Sequence, residues 1–252
     1  KLLKTLTESK GEVSEVSFSG DDNLIALFTS DDTVKIKKRD GTLIASYKSH
    51  HSKLTSGVFS PDGQTIAMAG VDKNVQISRR DRLWPGVAHR AATLQILKGH
   101  QAEVWHVVFS PDGKLVASAS GDNTDKLWTL DGNLFRTLVG HSAAVWRVVF
   151  SQDSKMLATG SGDNTVKLWT LDGKLLNTFK GHKAGIWGIA FTPDGKIVAS
   201  GSVDASIKLW KLDGTEVTTL TGHTAAIRVV AISPDGTLLV SGGDDNTLIL
   251  WN

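Results

Sequence analysis

The chain has 252 residues, 40% of them apolar and 21% charged, a composition typical of a globular protein with one or two buried cores. The formal net charge of +2 gives little reason to expect a nucleic-acid partner, and the lack of cysteine excludes disulfides and thiolate metal sites. No apolar run in the sequence is long enough to span a bilayer.

Six repeats follow one another along the chain. Gly-His pairs recur 41 residues apart, and stepping back from the first pair finds two more units. The repeats are anchored at Ser9, His50, His100, His141, His182 and His223. A period of this length is typical of propellers and solenoids, in which each unit buries its faces against its neighbours.

Each repeat is predicted to form four short strands. In the unit anchored at His182, the apolar and alternating segments cover residues 186–191, 197–201, 206–211 and 216–220. Turn residues separate them, beginning with Thr-Pro-Asp-Gly at 192–195, where proline presets φ and glycine accepts a positive φ. The first two strands are apolar on both sides and the fourth is more polar, so we expect burial to decrease from the first strand to the fourth. Strands at this spacing predict an all-β fold.

The two ends of the chain complement each other. The unit anchored at His223 ends at Asn252 after its third predicted strand, and residues 1–6 match the fourth-strand segment 174–179 in register. The N-terminal segment is therefore predicted to complete the last sheet and close a ring. The alternative is a cut from a longer array. Because the chain does not begin with methionine, we expect it to be part of a larger protein.

The repeated motifs resemble those of the WD-repeat family, particularly its highly repetitive prokaryotic type. Four motifs stand at fixed offsets across the whole chain: Gly-His, Ser-Pro-Asp-Gly, an aspartate corner and Lys-Leu-Trp. Two features depart from the family pattern: threonine, lysine or asparagine follows the tryptophan instead of aspartate, and the repeats number six instead of the usual seven. The resemblance implies one domain, residues 1–252, folded as a closed six-bladed β-propeller of four-stranded antiparallel blades.

Four repeats carry a histidine, a hydroxyl, an aspartate and a tryptophan at constant offsets. The sets are His100, Ser118, Asp122 and Trp128; His141, Thr159, Asp163 and Trp169; His182, Ser200, Asp204 and Trp210; and His223, Ser241, Asp245 and Trp251. A catalytic triad needs one copy beside an oxyanion hole, whereas four copies in successive repeats suit hydrogen bonding of buried polar groups. In the WD-repeat family, the resemblance implies a structural tetrad.

The first two repeats have lost most of this set. Their corresponding residues are Ser9, Leu27, Asp31 and Lys37, and His50, Met68, Asp72 and Ser78. We therefore expect these blades to rely on apolar packing and to be the least stable and most mobile part of the ring.

A second set of positions predicts a surface for a partner. Residues three and five positions after each anchor begin the innermost strand and should lie on one rim, where WD-repeat relatives often contact partners. The residues assigned to this interaction rim are Trp105, Trp146, Trp187, Arg228, Glu103, Glu12 and Lys53. Tryptophan and arginine are typical of binding hot spots. The alternative is that the three tryptophans only fill gaps between blades.

Two other groups of residues carry weaker signals. Glu15, His106 and Arg147 share the next offset, but no metal-ligand spacing accompanies them. The irregular segment 79–90 is basic and contains Trp84, and with Lys35 and neighbouring basic residues it could attract an anionic partner. A solvated hairpin extension is the favoured interpretation, and no metal or cofactor is expected.

The sequence therefore predicts a non-catalytic scaffold or sensor module, monomeric and cytoplasmic, that binds a protein or peptide on the interaction rim. Neither a membrane nor a nucleic acid is expected as a partner. The alternatives are a structural or designed propeller without a ligand, and an enzyme with its site in the central channel.

Overall fold

The strands of the protein fall into six consecutive antiparallel sheets. The computed structural model describes residues 13–49, 53–79 and 93–252, and every regular element in those ranges is a strand. The first three sheets comprise β1 (Val13–Phe18), β2 (Leu24–Thr29), β3 (Thr33–Lys38) and β4 (Leu43–Lys48); β5 (Leu54–Phe59), β6 (Thr65–Gly70), β7 (Val75–Arg79) and β8 (Thr93–Leu97); and β9 (Val104–Phe109), β10 (Leu115–Ser120), β11 (Thr124–Thr129) and β12 (Leu134–Val139).

The remaining sheets follow the same order. They comprise β13 (Val145–Phe150), β14 (Met156–Ser161), β15 (Thr165–Thr170) and β16 (Leu175–Lys180); β17 (Ile186–Phe191), β18 (Ile197–Ser202), β19 (Ser206–Lys211) and β20 (Glu216–Thr221); and β21 (Ile227–Ile232), β22 (Leu239–Gly243) and β23 (Leu248–Trp251). Among the described residues, five sheets have four strands and the last has three, which is the blade architecture of a β-propeller. The predicted all-β class and four-stranded antiparallel blades are confirmed.

The described chain divides into two compact units. One contains the residues up to Ser118 together with Trp128–Phe135, and the other contains Ala119–Leu127 together with Arg136–Asn252. Residues 1–12 lie outside the described residues, so closure of the ring by the N-terminal segment stays a prediction, as does the single domain.

Glycine at a fixed place shapes the turn between the first and second strands. Gly195 has φ of 69°, and the preceding Thr192 hydroxyl donates to the Asp194 carboxylate at 2.6 Å. Because L side chains are disfavoured there, glycine suits this position. In the fourth repeat Ser154 takes the same place at φ 58°, which strains the backbone.

Burial follows the predicted gradient except at its start. In the third, fourth and fifth sheets the fourth strand is the most exposed, but second strands such as β14 are more completely buried than the first strands beside them. A second strand has a hydrogen-bonded neighbour on each edge and packs on both faces, whereas the first strand forms one edge of its sheet. The expectation that the first strand is the most buried was wrong for this reason.

Small residues let successive sheets pack closely. The buried Phe28 ring occupies the space that a side chain at Gly57 would need, with ring carbon within 2.1 Å of the ideal Cβ position. Ile186 fills the corresponding space at Gly160, and Ile227 does so at Gly201. These contacts let the second strand of one sheet approach the first strand of the next sheet closely.

Candidate functional site

Three of the four predicted tetrads form continuous hydrogen-bond chains. In the fourth repeat, His141 Nδ1 lies 2.8 Å from Asp163 Oδ2, and His141 Nε2 lies 2.8 Å from the Thr159 hydroxyl. The Trp169 indole N–H donates to that hydroxyl at 2.9 Å. The sets around His182 and His223 repeat these contacts at 2.8–2.9 Å.

In the tetrad around His100, three members belong to one compact unit and the fourth belongs to the other. His100 Nε2 and Trp128 Nε1 each lie 2.8 Å from the Ser118 hydroxyl. Asp122 belongs to the other unit, where its carboxylate accepts hydrogen bonds from the backbone and hydroxyl of Thr124 at 2.9 and 2.6 Å.

In the tetrads of the fourth and fifth repeats, the surroundings favour neutral histidines, His141 and His182, and charged aspartates, Asp163 and Asp204. Burial lowers the pKa of His141 and of His182 below the ordinary value, despite the aspartate beside each ring. Burial opposes ionisation of Asp204 too, but hydrogen bonds from Ser206, the Lys183 amide and His182 lower its pKa to about 2. The imidazoles of His141 and His182 can therefore donate from Nδ1 to the carboxylate and accept at Nε2 from the hydroxyl.

The same contacts bear on the catalytic interpretation. The hydroxyl groups of Thr159 and Ser200 belong to side chains that are fully buried, and each already accepts a tryptophan N–H. A substrate carbonyl could not reach them without unfolding the blade. This arrangement suits a structural role, in which hydrogen bonds satisfy buried polar groups and anchor the loop.

The first two repeats show how the lost tetrads are replaced. Lys37 and Met68 are buried at the tryptophan and hydroxyl positions, respectively, and Phe28, Ile36 and Met68 belong to one apolar cluster. The predicted reliance on apolar packing agrees with that cluster. Ser9 and His50 lie outside the described residues, and the expected low stability of these blades stays a prediction.

The rim residues of the later repeats stand at β-bulges. The pairing of β13 with β14 shifts register between Val145 and Arg147, which leaves Trp146 as the extra residue. Trp187 and Arg228 occupy the same place in β17 and β21. A bulge re-aims the side chain of its extra residue, and because the bulge recurs at the same place in each of these strands, the three side chains are re-aimed in the same way.

These bulge residues form a stack, which we call the indole–guanidinium stack (Trp146, Trp187, Arg228 and Asp244). The indole rings of Trp146 and Trp187 are 5.5 Å apart between centroids and tilted by 53°. The Arg228 Cζ lies 3.7 Å from the centroid of the Trp187 ring. The Arg228 guanidinium donates from Nε and Nη2 to the two Asp244 oxygens at 2.6 and 2.8 Å.

Glycines support the inner end of the stack. A Cβ built on Gly185 would lie 2.3 Å from the Trp146 ring, and one on Gly162 would lie 3.2 Å from it. The ring therefore rests on the Gly185 backbone. Trp146 and Trp187 are half-buried, so each side chain is part packing element and part accessible surface.

The other rim residues are placed less closely. Trp105 is 39% exposed in the unit that also holds Lys53 and Glu103, which are exposed and half-buried. Glu12 lies outside the described residues, as does most of the basic segment 79–90 with Trp84. The assignment of these residues to a partner stays a prediction.

Asp244 is the stack residue that sequence reasoning undervalued. The residue before the sixth corner aspartate shares the rim by its position in the repeat, but the repeat pattern does not show its ion pair with Arg228. The available signal was a double substitution inside one repeat. Where the fourth and fifth repeats have Trp146 with Gly162 and Trp187 with Val203, the sixth has arginine with aspartate.

A further polar network joins three inner strands of the first unit. The Glu15 carboxylate accepts hydrogen bonds from the Ser56 hydroxyl at 2.5 Å and the Gly57 amide at 2.9 Å. His106 Nε2 lies 3.7 Å from the other Glu15 oxygen. Sequence spacing showed that these residues share an offset but not that they meet, because their contacts cross from sheet to sheet.

Other chemistry finds little support in the described residues. A concavity of about 660 Å³ in the second unit is lined at the ends of β13, β17 and β21 by apolar residues, Gln152 and Thr192, and contains no titratable side chain. Among the residues described, no group of three or more histidine, aspartate or glutamate side chains could hold a metal ion. In those same ranges no helix has the length and apolarity needed to cross a membrane.

Comparison with known proteins gives one family across nearly the whole chain. Each of the six repeats matches the family model described as WD domain, G-beta repeat. The matches cover residues 1–36, 41–77, 91–129, 132–170, 173–211 and 214–252. No curated protein matches the chain significantly.

Proposed function

This chain belongs to the WD40 repeat family, and from that premise we propose that it is a non-catalytic scaffold or sensor module that binds a protein or peptide partner on its interaction rim. Propellers of this family generally bind proteins or peptides and are generally not enzymes. The observation that carries the proposal is the indole–guanidinium stack. It gathers two tryptophans and an arginine at the bulges of successive inner strands, with an aspartate from the turn after β22 paired to the arginine.

The stack has the properties of a prepared binding surface. Its two indoles have few rotatable bonds, and packing, a cation–π contact and a bidentate ion pair already restrict the side chains. A partner would therefore pay little conformational entropy for ordering them. In the other unit Trp105 is itself an exposed aromatic side chain, and small residues near the stack residues in sequence, such as Ala144 and Ala226, leave room for side chains of a partner.

The tetrads serve this function indirectly. They fasten the loops that precede the inner strands, and those loops lead directly into the bulges that carry the rim residues. Because the tetrad hydroxyls are buried, we assign the four tetrads a structural role. The ring that carries them would be completed by residues 1–6 pairing with β23, where the side chains of Leu248 and Leu250 are 69% and 66% exposed.

A peptide-display selection tests the function. Random twelve-residue peptides selected on the intact chain are titrated against the triple variant Trp105→Ala, Trp146→Ala and Trp187→Ala. We expect the dissociation constant to rise at least about tenfold, because each indole is a candidate hot spot worth about 1 kcal/mol or more.

The matched control removes three exposed apolar side chains from the fourth strands, Leu134→Ala, Leu175→Ala and Val217→Ala. This control should keep full affinity. Peptides that bind both triple variants with the same affinity as the wild type would contradict the rim proposal. They would leave a structural propeller without a rim ligand as the better description.

A further inference from the structure

Arg228 ends the indole–guanidinium stack with one face uncovered. Its Cζ lies 3.7 Å from the Trp187 centroid, so one face of the guanidinium group rests on that indole. The Arg228 side chain is nevertheless 56% exposed. Since Trp187 covers one face, the exposed fraction of the side chain leaves guanidinium surface on the opposite side accessible to a partner.

Asp244 determines which ligands this face could attract. The carboxylate takes hydrogen bonds from Nε and Nη2, which fixes the plane of the guanidinium group and balances its charge. In the described part of the chain Nη1 has no hydrogen-bond partner. An acidic partner would have to compete with a carboxylate already in bidentate contact, so charge attraction alone is a weak basis for recognition.

The uncovered face and the Nη1 group of Arg228 suit a flat, uncharged group of a partner. Arginine stacks on aromatic rings through both faces, and the contact with Trp187 shows this chemistry within the chain itself. An aromatic ring on the free face would extend the alternation of rings and guanidinium by one layer. A backbone carbonyl next to that ring could accept the hydrogen bond from Nη1.

We propose that the partner places a tryptophan, tyrosine or phenylalanine side chain on the open face of Arg228 and directs a carbonyl oxygen to Nη1. The inference rests on the proposed function, since it names the partner chemistry recognised at that rim. Trp187 and Asp244 are then positioning residues, because they hold the guanidinium plane in the orientation that the incoming ring meets.

The experiment uses the peptides selected on the intact chain and the variant Arg228→Lys. Lysine keeps the positive charge but lacks the planar face, so peptides bound through stacking should lose about 3- to 30-fold in affinity. Arg136→Lys, the same change on the exposed strand β12, is the matched control and should leave affinity unchanged. Replacing the aromatic residue of each peptide by leucine should cause a similar loss on the wild type and little loss on Arg228→Lys.

The outcomes separate the two proposals. Peptides that depend on the rim tryptophans, yet lack aromatic residues or bind Arg228→Lys normally, would overturn the stacking inference and leave the rim function standing. Peptides whose affinity does not depend on the rim tryptophans would overturn both the rim function and the stacking inference. An NMR titration with a selected peptide supplies a second readout, since ring currents should shift the Arg228 Nε–H resonance upfield in the wild type.

Discussion

Asp125 is a buried carboxyl group in a position that the other repeats give to apolar residues. It is 1% exposed on β11, and neither carboxylate oxygen has a hydrogen-bond partner among the described residues. The corresponding residues include Val34, Val75, Val166 and Ile207, all buried. We therefore expect Asp125→Val to stabilise the protein.

The magnitude follows from two contributions. An unsatisfied buried polar group costs about 1–3 kcal/mol, and burying a valine side chain in its place contributes about 1.5 kcal/mol. Together they predict an increase of about 2.5–4.5 kcal/mol in the free energy of unfolding. For a chain of this size that corresponds to a rise of roughly 5–18 °C in Tm.

The effect should depend on pH with a definite sign. Burial, reinforced by the nearby Asp122, raises the pKa of Asp125 well above its ordinary value of 3.8. Below pH 3.8 the group is protonated in both folded and unfolded chains. Above pH 3.8 only the unfolded chain releases the proton, so the wild type loses stability until the folded-state pKa is passed. The advantage of the valine variant should therefore be smallest near pH 3 and grow as the pH rises.

Urea denaturation at several pH values measures this difference directly. Asp125→Asn should abolish the pH-dependent loss, because an amide does not ionise, but it should keep the cost of an unsatisfied buried polar group and so remain less stable than the valine variant. Val166→Asp reproduces the defect in the next repeat and should destabilise by at least as much. A valine variant that is no more stable than the wild type at pH 7 would refute the reasoning, since the carboxyl would then have a partner or solvent in the folded protein.

Three further substitutions probe the loop anchors, a strained turn and the stack. His182→Ala should lower stability by about 2–4 kcal/mol, because it orphans a buried hydroxyl and a half-buried carboxylate, while peptide binding is retained; an unchanged melting curve would argue against the structural tetrad. Ser154→Gly should raise stability by about 0.5–1 kcal/mol by relieving a positive φ, as measured by thermal melting. Gly185→Ala should displace Trp146 and weaken peptide binding, whereas Gly162→Ala should have a smaller effect; equal binding by both would show that the ring position is unimportant.

The sequence was sufficient for features that repeat within one blade. Strand positions in the unit anchored at His182 agree with those observed to within a residue, because the turn residues mark every boundary locally. The tetrad contacts also follow from spacing, since the four residues of a set lie within a single repeat. The hydrogen bonds around His141, His182 and His223 link the residues that constant offsets singled out.

Features that cross between repeats could not be obtained in this way. Trp146, Trp187 and Arg228 are 41 residues apart in sequence, and their contact depends on bulges that turn each side chain toward the next sheet. Glu15 reaches Ser56 and His106 only because inner strands of the first unit pack side by side.

The sequence by itself determined the repeat, the strand order and the residues of each loop anchor, because backbone propensity and short-range hydrogen bonding decide them. Tertiary packing alone decided which rim side chains meet and which polar groups lack a partner. Those outcomes depend on the distance and angle between neighbouring sheets. The close approach at Gly57, Gly160 and Gly201 sets those quantities, and no local pattern encodes them.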